Sequence, residues 1–140
     1  MGYLTSAPID HATLVERVAS AERGAIATFL GVVRDHHQGR AVERLEYSAY
    51  PEMAESVAEE IVGEACARWP VSVALQHRTG NLAIGDVAVA VAVGSAHRDA
   101  AMEACRYVIE EVKARLPVWK KEYFTDGVVS WVEGEGKLAR

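Results

Sequence analysis

Between Ser95 and Glu122 this chain gathers residue types that hold and activate anions. His97 and Arg98 stand at one end, Lys113 lies in between, and Lys120, Lys121 and Glu122 stand at the other. The chain is acidic, with a net charge of −5 over 140 residues, so a local run of cations asks for a local reason. Ser95 has the side chain of a helix N-cap. That puts His97 and Arg98 in a first turn, where the helix dipole disfavours cations by about 0.3–1 kcal/mol each. Free backbone N–H groups, a guanidinium and an imidazole together form a cradle for a phosphate or carboxylate. The same pattern also fits a surface arginine paired with Asp99 or Glu103. Continuing at roughly 100° per residue, Lys113 returns to within about 60° of the Arg98 azimuth, about four turns on. It flanks the apolar stripe of its helix, where a lysine either serves a pocket or carries its ammonium out to water. Lys120 and Lys121 open a strand and point to opposite faces, with Trp119 on the side of Lys121. Adjacent lysines also suit a charged edge strand that resists aggregation.

A second cationic group, Arg34, His36, His37 and Arg40, follows Val32 and Val33 at the end of an apolar run. It reads as a polar loop at a strand end, with Gly39 as its turn residue. Adjacent histidines suggest metal, but no third histidine follows at ligand spacing and Asp35 is the one nearby carboxylate, so no metal site is expected. The chain has no P-loop, GxGxxG or GxSxG, and no cofactor is expected. Cys66 and Cys105 stand alone in helical patterns, which fits buried thiols in a reducing cytoplasm. The acidic balance argues against general nucleic-acid binding, and no apolar run approaches the ~18 residues of a membrane helix.

These groups need elements to position them. Tyr3 to Ile9 reads as a short edge strand limited by Pro8, and Asp10 caps a helix over His11 to Ala19. Ala25 to Val33 and Val42 to Tyr50 read as two strands forming a hairpin. In the second, Val42, Arg44, Glu46 and Ser48 alternate with Glu43, Leu45, Tyr47 and Ala49. Met53, Val57, Ile61, Ala65 and Trp69 recur every fourth residue, which predicts an amphipathic helix over Glu52 to Trp69 with Pro51 at its start. Val71 to Arg78 is a strand. In the next strand Val87, Val89, Val91 and Val93 alternate with Ala88, Ala90, Ala92 and Gly94. With no polar face it belongs at the centre of a sheet, covered on both sides, its small face admitting a close helix. A helix over Ala96 to Leu116 follows. Val118 to Thr125 and Val128 to Glu133 form a last hairpin about Asp126-Gly127, and residues 134–140 form a loose tail. The order β-α-β-β-α-β-β-α-β-β in one domain spanning 1–140 predicts an α+β sandwich, with helices on one face of a largely antiparallel sheet.

Several stretches, in order, resemble the molybdopterin synthase large (catalytic) subunit family along nearly the whole chain. They are Phe29-Leu30-Gly31-Val32-Val33-Arg34 with His36; Leu45-Glu46-Tyr47-Ser48-Ala49-Tyr50 into Met53-Ala54; and His77-Arg78-Thr79-Gly80-Asn81-Leu82 with Gly85-Asp86. Ser95-Ala96-His97-Arg98 and Pro117-Val118-Trp119-Lys120-Lys121-Glu122 complete the set. The resemblance implies an α/β hammerhead fold with an additional antiparallel β subdomain. It implies a homodimer that binds a small ubiquitin-like sulfur-carrier subunit at each end, giving a heterotetramer. The carrier's C-terminal Gly-Gly thiocarboxylate enters the site, and sulfur passes twice to cyclic pyranopterin monophosphate, giving molybdopterin. By motif, the substrate-binding residues are Val32, Val33, Arg34, His97, Arg98, Lys113, Lys120, Lys121 and Glu122, and the catalytic residues are Lys113 and Lys120. Arg34, His97 and Arg98 are then expected to hold the phosphate. Lys113 acts as general acid/base or electrostatic clamp at the thiocarboxylate, and Lys120 stabilises charge at the reacting carbons. Met102 stands where the family commonly has Phe, and the chain after Trp131 is short. Two other readings share the same cations: an anion- or nucleotide-sensing module, and an assembly subunit whose lysine groove receives an acidic tail.

Overall fold

The computed structural model describes residues 2–133; the tail expected over 134–140 lies outside them. In chain order the elements are β1 (Leu4–Thr5), α1 (His11–Val18), β2 (Ala25–Val32), β3 (His36–His37), β4 (Arg40–Ala49) and α2 (Pro51–Arg68). They continue with β5 (Val71–Arg78), β6 (Gly80–Ala83), β7 (Val87–Ser95), α3 (Arg98–Arg115), β8 (Val118–Phe124) and β9 (Val129–Glu133). Two sheets result. One has the order β1-β5-β7-β2; the other runs β3-β4-β8-β9, with β6 also paired to β4.

β7 is central to the first sheet, between β5 and β2, as its lack of a polar face requires. Val89, Val91 and Val93 face α2 and α3 and join Ile61, Leu75, Val108 and Val112 in the main core. Ala90 and Ala92 face α1 and meet Leu14 and Val18. Helices therefore cover both faces of this sheet, in place of the single face expected, because a strand apolar on both sides exposes one of them unless each is covered. The small residues let α1 approach closely. A Cβ added at Gly94 would overlap the Val18 carbonyl oxygen.

The expected hairpin of β2 with β4 does not form. β2 pairs with β7, and β4 pairs with β8 and β6 in the other sheet. The hairpin partner of β4 is the two-residue β3, joined through Gln38 and Gly39, both at positive φ, as a tight primed turn demands. A register shift between Val42 and Arg44 also breaks the simple alternation of β4. Val42 and Leu45 are both buried against Val33, Leu82 and Phe124, which unbroken period-2 geometry would forbid.

α2 and α3 are clamped by Arg115, which reaches Glu64 at 2.7 Å and Glu111 at 3.0 Å, while Tyr107 donates to Glu64 at 2.6 Å. At the far end of β5, His77 is buried. Its Nδ1–H donates to the Arg78 carbonyl at 2.9 Å, and its ring meets Tyr47 edge-on at 5.1 Å between centroids. Burial first, and the Lys113 charge in addition, pull its pKa down from 6.5 to about 4.

Two consequences are measurable. Gly94→Ala should lose about 1–3 kcal/mol in denaturant unfolding, since neither the α1 backbone nor β7 can yield cheaply; an unchanged midpoint would contradict the close α1 contact. For His77 the folded-state pKa lies below the unfolded one, so the unfolded chain takes up the proton first. Stability should be full above about pH 6.5, fall as pH drops towards about 4, and lose up to ~3 kcal/mol from this group. His77→Gln should flatten that slope in unfolding curves taken across the interval; an unaltered slope would show that another group carries it.

Candidate active site

The end of the first sheet and the inner face of the second enclose a polar cavity of about 220 Å³. Its floor is apolar: Val33, Val42, Leu45, Ala88 and Val89. Its functional groups come from separate elements. Val32, Val33 and Arg34 leave the end of β2, where the register shifts between Gly31 and Val32. The Val33 N–H donates to the Asp86 carbonyl and its own carbonyl accepts from Gly85, both at 2.9 Å. This pins the backbone as Arg34 enters the loop. Lys113 comes from the last turn of α3, where the helix dipole favours a cation, and it is exposed at the cavity mouth. Lys120 and Glu122 come from one face of β8. An adjoining cavity of about 40 Å³ shares Tyr47, Val89, Lys113 and Lys120 with the polar cavity and is lined by His77 as well.

Of the expected residues, the structure thus brings Val32, Val33, Arg34, Lys113, Lys120 and Glu122 to one cavity. Lys121 projects from the opposite face of β8, with its ammonium 5.1 Å from the centre of the Trp131 ring and 5.3 Å from that of Tyr123. His97 and Arg98 lie at the other end of α3, roughly 22 Å from Lys113 at 1.5 Å per residue. Ser95 does not cap that helix. It is the last residue of β7, paired with Ala25 and Val71, and its hydroxyl donates to the Pro70 carbonyl at 3.0 Å. The backbone stays extended through His97, which occupies the N-cap position without a side-chain cap bond. Arg98 lines a separate open groove of about 840 Å³ between β2 and α3, with Ile26, Met102 and Arg106. This groove is the larger concavity, but it lacks the convergent cations of the smaller one. Among the described residues neither Asp99 nor Glu103 pairs with Arg98. Glu103 instead accepts from the Trp69 indole at 3.1 Å, and Glu110 pairs with Arg106 at 3.0 Å.

The two loop histidines diverge. His36 meets Asp35 at 2.9 Å in solvent, and this hydrogen bond holds the Asp35 carboxyl below its ordinary range. His37 reaches inward to Glu122, at 2.7 and 2.8 Å to the two carboxylate oxygens. No group of three or more metal-binding side chains occurs among the described residues. Both histidines line the cavity, whereas Arg40 does not, pairing with Asp126 at 3.1 Å and lying over the Phe124 ring. Tyr47 and His77 were not among the expected site residues, although Tyr47 lines both cavities and His77 the smaller one. Both stand in stretches that carry the family resemblance, and that placement, with Tyr47 on the apolar side of β4, is the legible signal.

Neither cysteine reaches this cavity. Burial pushes the Cys105 thiol up to about 11, so it is a poor nucleophile. Cys66 is exposed on α2. No helix of the described residues is long and apolar enough to cross a membrane.

Comparison with known proteins agrees on one family. Residues 4–115 match the family model described as MoaE protein. The molybdopterin synthase catalytic subunit of Bacillus subtilis is 44% identical over 125 residues, covering 89% of this chain and 80% of its own. That of Oryza sativa subsp. indica is 46% identical over 136 residues, covering 96% and 70%. The crystal structure of molybdopterin synthase from Staphylococcus aureus superposes with a TM-score of 0.89 at 38% identity, over 94% of this chain and 96% of that one. A complex of subunits 1 and 2 of molybdopterin-converting factor from Helicobacter pylori contains a chain of the same fold, with a TM-score of 0.76 at 20% identity over 92% of this chain and 88% of that one. With the family model spanning most of the chain and relatives of this similarity aligned along nearly all of it, the chain belongs to the MoaE family.

Proposed function

We propose that this chain is the catalytic subunit of a molybdopterin synthase, acting in molybdenum cofactor biosynthesis. It transfers sulfur from the C-terminal thiocarboxylate of a small sulfur-carrier subunit to cyclic pyranopterin monophosphate. The observation that carries this reading is the convergence of Arg34, Lys113 and Lys120 from three elements onto one cavity of an acidic protein. Both reactants are anionic, and cations gathered in a partly enclosed site attract them more strongly than the same charges spread in water. The absence of any cysteine from the cavity fits sulfur arriving on a partner. The free Cys66 and Cys105 fit a reducing compartment, the cytoplasm.

In this mechanism Arg34 holds the substrate phosphate at the loop side. Lys113, at the mouth, meets the incoming thiocarboxylate, and Lys120 lies deeper, beside the carbons that accept sulfur. Sulfur bonds to the accepting carbon as that carbon's bond to oxygen breaks, the oxygen leaving with a proton from Lys113; water then cleaves the carbon–sulfur bond to the carrier and completes the carrier's carboxylate. The protein's part is to neutralise charge at both ends and to supply a proton donor at Lys113.

His97 and Arg98 belong to the same reading through a homodimer. They are too far along α3 to reach their own Lys113, and Arg98 opens onto the groove beside exposed Ile26 and Met102. A second copy covering that groove carries its own His97-Arg98 pair towards the neighbouring site, and each substrate then meets residues of both chains.

Lys113→Ala should reduce sulfur transfer from a thiocarboxylated carrier by about 100-fold or more while the carrier still binds, as loss of a positioned acid or base does. Near-normal turnover would remove Lys113 from the mechanism, and an inactive unmutated protein would favour an anion sensor. Mixing Lys113→Ala and Arg98→Ala chains tests the shared site. If both single variants are inactive, mixed dimers should regain measurable turnover from one intact composite site. No recovery in purified mixed dimers would place all the residues of a site in one chain.

A further inference from the structure

Glu122 is 3% exposed, in the middle of β8 opposite Leu45 of β4. A carboxylate so buried must be hydrogen-bonded or paired. Lys120 stands two residues away on the same face of the strand, and a lysine side chain is long enough to reach it. Yet among the described residues Lys120 makes no ion pair, and the partner of Glu122 is His37. His37 Nδ1 lies 2.7 and 2.8 Å from the two oxygens, across 85 positions of sequence, and as an N–H it donates between them.

We propose that His37 is a positioning residue. It draws the Glu122 carboxylate towards the loop and away from Lys120, leaving the Lys120 ammonium to the anionic substrate. This rests on the reading of the cavity as the sulfur-transfer site.

The local geometry suits the role. The tight turn at Gln38 and Gly39 folds β3 back on β4, which brings His37 over β8. The Val42 N–H donates to the Asp35 carbonyl at 2.9 Å and closes the base of the loop. Arg34 enters the same loop, so the His37–Glu122 contact also ties the loop that presents Arg34 to the floor of the cavity. Without His37, the buried carboxylate turns to Lys120, which stands two residues away on its own face of β8. Pairing with Lys120 would neutralise that lysine in the free enzyme, and substrate would have to break the pair to bind. The loss therefore belongs in KM more than in kcat.

The test uses the full chain with its thiocarboxylated carrier. His37→Ala should raise KM for the pterin substrate by ~10-fold with kcat within ~3-fold. His37→Asn, whose amide nitrogen can stand near the position of Nδ1, should restore KM to within ~3-fold of the unmutated value. In a Glu122→Gln background, where no carboxylate remains to divert, His37→Ala should add less than ~2-fold. A KM unaffected by His37→Ala, an Asn variant as impaired as Ala, or full additivity with Glu122→Gln would each overturn the proposal. A crystal structure of His37→Ala decides it independently of turnover. Glu122 should move to within ~4 Å of the Lys120 ammonium, and a carboxylate that stays off Lys120 overturns it. Inactivity of the unmutated protein would sink the sulfur-transfer reading, and this structural result would still stand for or against His37.

Discussion

The burial of β7 on both faces is the constraint from which the rest of this structure follows. Val89, Val91 and Val93 require the α2–α3 layer, and Ala90, Ala92 and Gly94 require α1. With both faces taken, the strand has only its edges to offer, and β2 and β5 occupy them. That placement removes β2 from β4 and sends β4 into a second sheet with β8. The polar cavity is the seam between the two sheets: Val33 and Arg34 leave the first, while Lys120 and Glu122 stand in the second. α3 spans from β7 to β8, so its last turn brings Lys113 to that seam.

The seam also explains how an acidic protein keeps a cationic site. Carboxylates elsewhere are engaged locally, as in the Arg115 clamp with Glu64 and Glu111 and the Arg40–Asp126 pair. Within the cavity, Glu122 is held by a histidine, and among the described residues Lys120 has no carboxylate partner. The balance of charge at the site is therefore set by which partners meet, and the overall charge of −5 says little about it.

Much of this was legible in the residues. The valine–alanine alternation of β7 states its period and buried faces directly, whereas the fourfold recurrence in α2 states the helix but not its whole buried face: Met53 is exposed, and Ala54 and Ala58 are buried beside Ile61 and Ala65. The Asp126-Gly127 turn and the prolines at the ends of α2 and α3 set boundaries for similarly local reasons. Local rules failed where partners are distant. The alternation of β4 was read as unbroken, but a bulge turns Val42 inward to fill a core with Phe124, more than eighty residues later. Ser95 has the chemistry of a cap, but pairing with both neighbours keeps it in the sheet. The β2–β4 hairpin followed sequence adjacency and lost to the requirement that β7 have two neighbours.

For the site, the sequence by itself determined which chemistry is present: guanidinium, imidazole and ammonium groups suited to anions, on strand ends and helix turns, with no nucleophilic motif. Only the tertiary structure decided which of them meet. It separated Lys120 from Lys121 through the pleat, set His97 and Arg98 far from Lys113 along one helix, and joined His37 to Glu122. The physical reason is range. Helical and strand periods act over a few residues and are written in local spacing, whereas a hydrogen bond or an ion pair depends on positions that the whole packed chain must first establish.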